Sequence, residues 1–230
     1  MIVYGRQPVR ELLAARRRPV TRVWATPAAA REPWLAGVRV EQADAGAIAA
    51  RAGTDAHQGV CADTAGYPYV GAAELLGAAD AFLVALDEVQ DPQNLGAIVR
   101  TAECAGVTGL ILPERRSAEV TPAACKASAG AVEHLRIARV RNLADFLGEA
   151  KRAGLWCYGA DAAGRRYSEV DYAGGLVLVL GGEGKGLRPR VAGACDALVA
   201  LPMRGRIGSL NVSAAAAALV YGILQEKSGP

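Results

Sequence analysis

The chain has 230 residues, with 26 Lys and Arg against 23 Asp and Glu, for a formal charge of +3. At about 100–200 residues per domain, this length admits one large or two small domains. A composition of 52% hydrophobic and 21% charged residues is globular and excludes disordered and fibrous classes, while so small a charge does not by itself announce a nucleic-acid partner.

The charge is uneven. Residues 1–65 hold nine Lys and Arg against six Asp and Glu, whereas residues 66–230 hold 17 of each. A basic head on a neutral body is the pattern of an RNA or DNA footprint, although a solvated Arg-rich surface looks the same. Five cysteines (Cys61, Cys104, Cys125, Cys157, Cys195) form no CxxC pair and are odd in number. Buried thiols in a reducing compartment are expected. With only His57 and His134 present, no metal site is expected. The start of the chain does not read as a signal peptide. The longest apolar stretch, Ala214–Leu224, falls short of the ~18–20 residues that cross a bilayer. A cytoplasmic protein with no membrane association is the expectation.

In chain order, Val9, Leu12, Leu13 and Arg16 have helical spacing, with Pro8 suited to the first turn. Arg22-Val23-Trp24 and Val38-Arg39-Val40 are short strand candidates, and Ala43–Ala52 is a second helix. His57–Cys61 leads from a turn into a strand. Ala65–Val70, with Gly66 and Pro68, reads as an extended, mobile connector. The expected division is a head over 1–65, a linker over 66–79 and a body over 80–230. Within the body, apolar runs recur at Phe82–Leu86, Leu110–Leu112, Leu155–Tyr158, Leu176–Leu180 and Leu198–Leu201. Helical segments at Leu95–Ala105, Pro122–Ala131, Leu143–Ala153 and Asn211–Gln225 separate or follow them. Short strands apolar on both faces, alternating with helices, predict an α/β fold with a covered parallel sheet. Ligands of such sheets bind beyond the carboxyl ends of the strands.

Three polar segments occupy that position. In Asp91-Pro92-Gln93-Asn94-Leu95-Gly96-Ala97-Ile98-Val99-Arg100-Thr101-Ala102, Asn94 is placed to cap the next helix. Arg100 would be a charge on an otherwise small and apolar helix, in need of a partner or a ligand. In Leu180-Gly181-Gly182-Glu183-Gly184-Lys185-Gly186-Leu187, four glycines allow close backbone approach to a ligand. This loop is not a P-loop, since Val179 stands where the first glycine belongs and Gly186 where Ser or Thr does. It also misses the GxGxxG spacing, so a phosphate cradle is disfavoured. The third segment runs from Leu201 through Met203, Arg204, Arg206, Ser209 and Leu210 to Asn211 and Ser213. A fourth, Lys126–His134, reads as a helix end with a glycine stop and a strand beyond. His134 reads there as a strand-entry residue rather than a base.

Together the first three segments resemble the three motifs of the SpoU (TrmH-like) RNA 2′-O-methyltransferases, over residues of about 80–225. Tyr4–Val9, Glu11–Leu13 and His57–Val60 are similar to the small substrate-binding domain, like ribosomal protein L30e, of the branch that methylates a guanosine of 23S rRNA. The resemblance implies an α/β trefoil-knot (SPOUT) methyltransferase domain preceded by an L30e-like α/β substrate-binding domain. It implies S-adenosylmethionine as cofactor, held by backbone around Gly181, Leu201 and Leu210 with Gly182 and Met203 nearby. It implies catalytic positions at Asn94, Arg100, Glu183, Ser209 and Asn211, with Arg100 acting at the 2′-hydroxyl. It further implies a homodimer with the site near the subunit interface and an RNA partner, 23S rRNA or a ribosome-assembly intermediate. The RNA-binding candidates are Arg6, Arg10, Arg17 and Arg22 on the head and Arg204 and Arg206 beside the site. A tRNA ribose methyltransferase, an rRNA-methylating resistance enzyme and a non-catalytic RNA-binding or assembly protein are the alternatives.

Overall fold

The backbone of the computed structural model is described for all residues except 79, 183, 185, 229 and 230. The first 64 residues build a four-stranded sheet in the order β1-β4-β2-β3. Its strands are β1 (Ile2–Tyr4), β2 (Val20–Ala25), β3 (Val40–Gln42) and β4 (Val60–Thr64), with helices α1 (Arg6–Ala15) and α2 (Ala45–Ala52). The Asp44 carboxylate accepts the Ala47 amide at 2.7 Å and fixes the start of α2. Strand β1 was not expected from the sequence. It is three residues long, and it is held by pairing with β4 in the register Val3↔Ala62, which buries Val3 completely.

The connector is hydrogen-bonded to the body. The Tyr67 hydroxyl donates to the Leu135 carbonyl at 2.5 Å, and the Val120 amide donates to the Tyr69 hydroxyl at 2.9 Å. Val70 then bridges Ala138 in parallel, and α3 (Ala72–Leu76) follows within the expected linker.

The second sheet has six strands, all parallel, in the order β10-β8-β9-β5-β6-β7. They are β5 (Phe82–Asp87), β6 (Gly109–Pro113), β7 (Ile137–Val140), β8 (Trp156–Arg166), β9 (Leu176–Gly181) and β10 (Ala197–Ala200). Their alternate side chains fill two cores. Val84, Leu86, Leu110, Leu178 and Leu180 face α4 (Pro92–Cys104) and α8 (Val212–Ser228). Leu83, Ala85, Ile111, Val177 and Val179 face α3, α6 (Leu143–Arg152) and α7 (Pro189–Ala192). Both faces are thus covered, as doubly apolar strands require.

Three local features differ from the sequence reading. Helix α4 starts at Pro92 with Asp91 as its cap, because Asp accepts the Gln93 amide at 3.0 Å and proline suits the first helical position. Helix α5 (Pro122–Ala127) is shorter than expected, since Ala129 and Gly130 both adopt positive φ and break it. Strand β8 extends to Arg166 through an irregularity: its pairing with β10 jumps from Leu198↔Gly159 to Val199↔Arg165. Gly164 permits this, since a Cβ there would lie 2.5 Å from the Leu198 carbonyl carbon.

All five cysteines are free, and Cys104 is exposed rather than buried, at the end of α4. Burial pushes the thiols of Cys61 and Cys125 up to about 11, and those of Cys157 and Cys195 up to about 12.

Head and body share one continuous core cluster containing Val9 and Leu12 of α1 together with Ala124 and Val132 of the body. A buried ion pair locks this contact. Arg18 Nε donates to Glu133 Oε2 at 3.1 Å and its Nη2 donates to Glu133 Oε1, with both side chains 1% exposed. Arg17 adds bonds to the Tyr67 hydroxyl and to the Glu133 and Leu135 carbonyls, and His134 Nε2 lies 2.8 Å from Glu11 Oε2. Removing one member of a buried pair leaves the other charge uncompensated. Glu133→Ala is expected to cost about 3–5 kcal/mol in urea denaturation, and Arg18→Met with Glu133→Leu to restore part of it. A loss below about 1 kcal/mol, the range of an exposed pair, would show that this pair is not what locks the head.

Candidate active site

The parallel order sends the carboxyl ends of β5, β8, β9 and β10 to one edge of the sheet. The loops leaving β9 and β10 enclose a cavity of about 590 Å³ there. This is within the usual ~300–1,000 Å³ of small-molecule sites. Gly181 and Gly182 form one wall, and Leu201, Met203, Ser209, Leu210 and Asn211 form another. The irregular stretch of β8 brings Ala160, Asp161 and Ala162 to the rim. The floor is apolar, from Leu180, Val199, Val212 and Leu219.

The glycines serve the loop's own packing as well as its open face. A Cβ on Gly181 would lie 2.2 Å from the Gly186 carbonyl carbon, and one on Gly182 would lie 2.5 Å from the Glu88 carbonyl oxygen. Gly184 and Gly186 adopt φ of 75° and 62°. The result is a cradle of exposed backbone with apolar walls and, among the described residues, no cluster of cationic side chains. That donor set fits a nucleoside-bearing, non-phosphate ligand, the class to which S-adenosylmethionine belongs.

Asn94 is the third residue of α4, not its cap. It is buried, and its Oδ1 accepts Asn211 Nδ2 at 3.0 Å. Asn211 Oδ1 in turn accepts the Ser213 amide at 2.9 Å and the Ser213 hydroxyl at 2.6 Å. The asparagines therefore tie the first turn of α4 to the first turn of α8. Arg100 is exposed on α4 and makes no ion pair among the described residues. The apolar helix face does not bury it, so it does not need the partner expected from the sequence. Neither Asn94 nor Arg100 lines the cavity. Glu183 lies outside the described residues.

Arg204 and Arg206 are exposed on the loop between β10 and α8. On the head, Arg10 and Arg22 are exposed, and Arg6 pairs with Glu32 at 3.0 Å while remaining half exposed. Arg17 differs from its expected role, since its guanidinium is spent on the head–body contact. His134 also joins that contact through Glu11 rather than any nucleophile.

Two residues escaped the sequence reading. Asp87, at the end of β5, is fully buried and grips Arg188, just beyond the glycine loop. Hydrogen bonding to Asp87 holds the Arg188 guanidinium further above its ordinary value. An acid closing an otherwise apolar strand was the available signal. Among the described residues, no group of three or more His, Cys, Asp or Glu could hold a metal ion, and no helix is long and apolar enough to cross a membrane.

Residues 81–221 match the SpoU rRNA methylase family model, and residues 2–70 match the RNA 2′-O ribose methyltransferase substrate-binding model. The chain is 43% identical over 181 residues to a putative TrmH family tRNA/rRNA methyltransferase of Bacillus subtilis, covering 76% of this chain and 73% of that protein. Its structure resembles the SpoU methyltransferase AviRb from Streptomyces viridochromogenes, solved in complex with the cofactor AdoMet. The TM-score is 0.85 at 27% identity, over 100% of this chain and 91% of that one. An AdoMet-bound rRNA methyltransferase from Sinorhizobium meliloti aligns with TM-score 0.82 at 27% identity, over 96% of this chain and 85% of that one. A parallel α/β sheet whose loop edge carries the three motifs, joined to an N-terminal substrate-binding domain, places this chain in the SpoU family of RNA methyltransferases.

Proposed function

We propose that this chain methylates a ribose 2′-hydroxyl of RNA using S-adenosylmethionine, with a guanosine of 23S rRNA as target and the cytoplasm as its location. One observation carries the reading: Gly181–Gly182 and Leu201–Asn211, far apart in sequence, wall one cavity, and Asn94 of the first segment is hydrogen-bonded to its Asn211. The substrate-binding head and the AdoMet-bound rRNA methyltransferase among its structural relatives support the rRNA branch.

S-adenosylmethionine, when bound, supplies a methyl group already activated by the sulfonium charge. The chain's task is alignment and relief of the charge that develops on a weakly acidic oxygen. The glycine wall, Leu201 and Leu210 hold the adenosine, with Met203 beside it. Asn94 fixes Asn211, and Asn211 fixes the turn that presents Ser209. A guanidinium presents five donors and no acceptor, so Arg100 does not act as a base. Its fork stabilises the nascent alkoxide and clamps the adjacent phosphate, while the proton leaves to phosphate or water. Glu183, by its motif position, orients Arg100 or Asn94.

A second copy of this chain completes the site. Ala214, Ala218 and Tyr221 form an exposed stripe at i, i+4 and i+7 of α8, and Ile207 and Leu210 stand exposed on the preceding loop. Helix α4, which carries Arg100, packs against α8, so the stripe lies beside the proposed chemistry. Tyr221→Glu is expected to sediment as a monomer where the unchanged protein sediments as a dimer. A monomer in both cases would remove this arrangement.

The principal test maps 2′-O-methylation on 23S rRNA and tRNA incubated with the protein and S-adenosylmethionine. Methylation confined to 23S rRNA is expected. Methylation confined to tRNA would move the target, and RNA binding without methylation of either would favour an assembly protein. Arg100→Ala should lower the single-turnover rate by about 10²–10³, the scale of one lost oxyanion donor. Arg100→Lys should recover only part of it, since the fork is lost. A near-normal rate with Lys would remove the clamp. Arg10→Glu and Arg22→Glu should each weaken RNA binding and lower the salt slope by about one. Unchanged slopes would place the RNA path away from this face of the head.

A further inference from the structure

Asp87 holds both sides of the glycine loop. On one side, the Gly182 amide donates to the Asp87 carbonyl at 2.7 Å. On the other, the Arg188 amide donates to Asp87 Oδ2 at 2.8 Å, while Arg188 Nε and Nη2 donate to Oδ1 at 2.8 and 2.7 Å. The carboxylate is fully buried, whereas the Arg188 side chain is 42% exposed. Its charge is therefore neutralised from the solvent side by one residue. Glu88 adds a weaker hold, with Oε1 3.8 Å from Arg188 Nε and 3.3 Å from Arg116 Nη1. Arg188 does not line the cavity, but Gly181, Gly182, Gly184 and Gly186 do.

We propose that Asp87 and Arg188 are a positioning pair that fixes the glycine wall against β5 and so sets the affinity for the cofactor's adenosine half. The inference rests on reading the cavity as the S-adenosylmethionine site. Both guanidinium donors close on Oδ1 while the Arg188 amide takes Oδ2, and this is the reason for the residue types. The carboxylate accepts from three Arg188 donors at once, which neither Asn at 87 nor Lys at 188 can match. An Asp87 left without Arg188 is a buried, unpaired charge, and the loop then gains by moving to let water reach it.

The test uses the full chain with S-adenosylhomocysteine as probe and amide hydrogen exchange in the absence of any ligand. Arg188→Met, at a half-exposed side chain, is the primary variant, and Asp87→Asn is the second. Both are expected to bind the probe about tenfold or more weakly, as the loss of one charge-assisted contact implies. Exchange at the Gly182 and Arg188 amides should rise while that of β6 stays fixed. RNA affinity should be unchanged, and in turnover the KM for S-adenosylmethionine should rise with kcat nearly constant. Arg188→Lys should rescue part of the probe affinity. Normal probe affinity and normal exchange in Arg188→Met would overturn the proposal, as would accelerated exchange throughout β6. If the unchanged protein itself fails to bind the probe, the cofactor reading falls, and the exchange at Gly182 and Arg188 still decides whether the pair fixes the loop.

Discussion

Six strands that all run in one direction deliver their carboxyl ends to one edge, and the candidate site depends on that constraint. Strand β9 lies between β8 and β5, so the loop leaving it opens beside the end of β5 and next to the bulged stretch of β8. The loop leaving β10 reaches the same place from the outer side. A cavity walled by backbone, floored by strand side chains and rimmed by a polar loop follows from this order. The glycines are then required twice, once so that the loop can fold on itself and once so that it can present bare backbone inward.

Part of the head's cationic surplus is spent on contacts with the body. Arg18 is neutralised by Glu133, 115 residues away, and Arg17 is bonded to body carbonyls. On the head, Arg6, Arg10, Arg16, Arg22, Arg31, Arg39 and Arg51 remain exposed, with Arg204 and Arg206 on the body beside the cavity. Because the head is locked, those groups hold a constant position relative to the cavity. In the proposed function, the head is a spacer of set length between the bound RNA and the methylated ribose.

Much of this was legible in the sequence, for physical reasons. Strands buried on both faces write continuous apolar runs, so Phe82–Leu86 and Leu176–Leu180 were found within a residue of their observed ends. The loop segments stood out because polar and glycine-rich stretches at strand ends have no core role. Other features carried no local signal. Strand β1 has too few residues for a period and exists through its pairing with β4. The bulge in β8 is set by contact with β10. The Arg17 and Arg18 side chains look like surface charges until Glu133 and Leu135 are brought beside them. Asp91-Pro92 did carry the signal for the start of α4, and the attraction of Asn94 as a cap obscured it.

The Arg18–Glu133 pair bears on how such a chain can diversify. A head taken from another protein without an arginine at this place would strand Glu133 inside the contact. A body without the glutamate would do the same to Arg18. Recombination between relatives is therefore penalised at this junction unless both partners move together. Changing exposed residues of the head disturbs this junction less than exchanging the whole head.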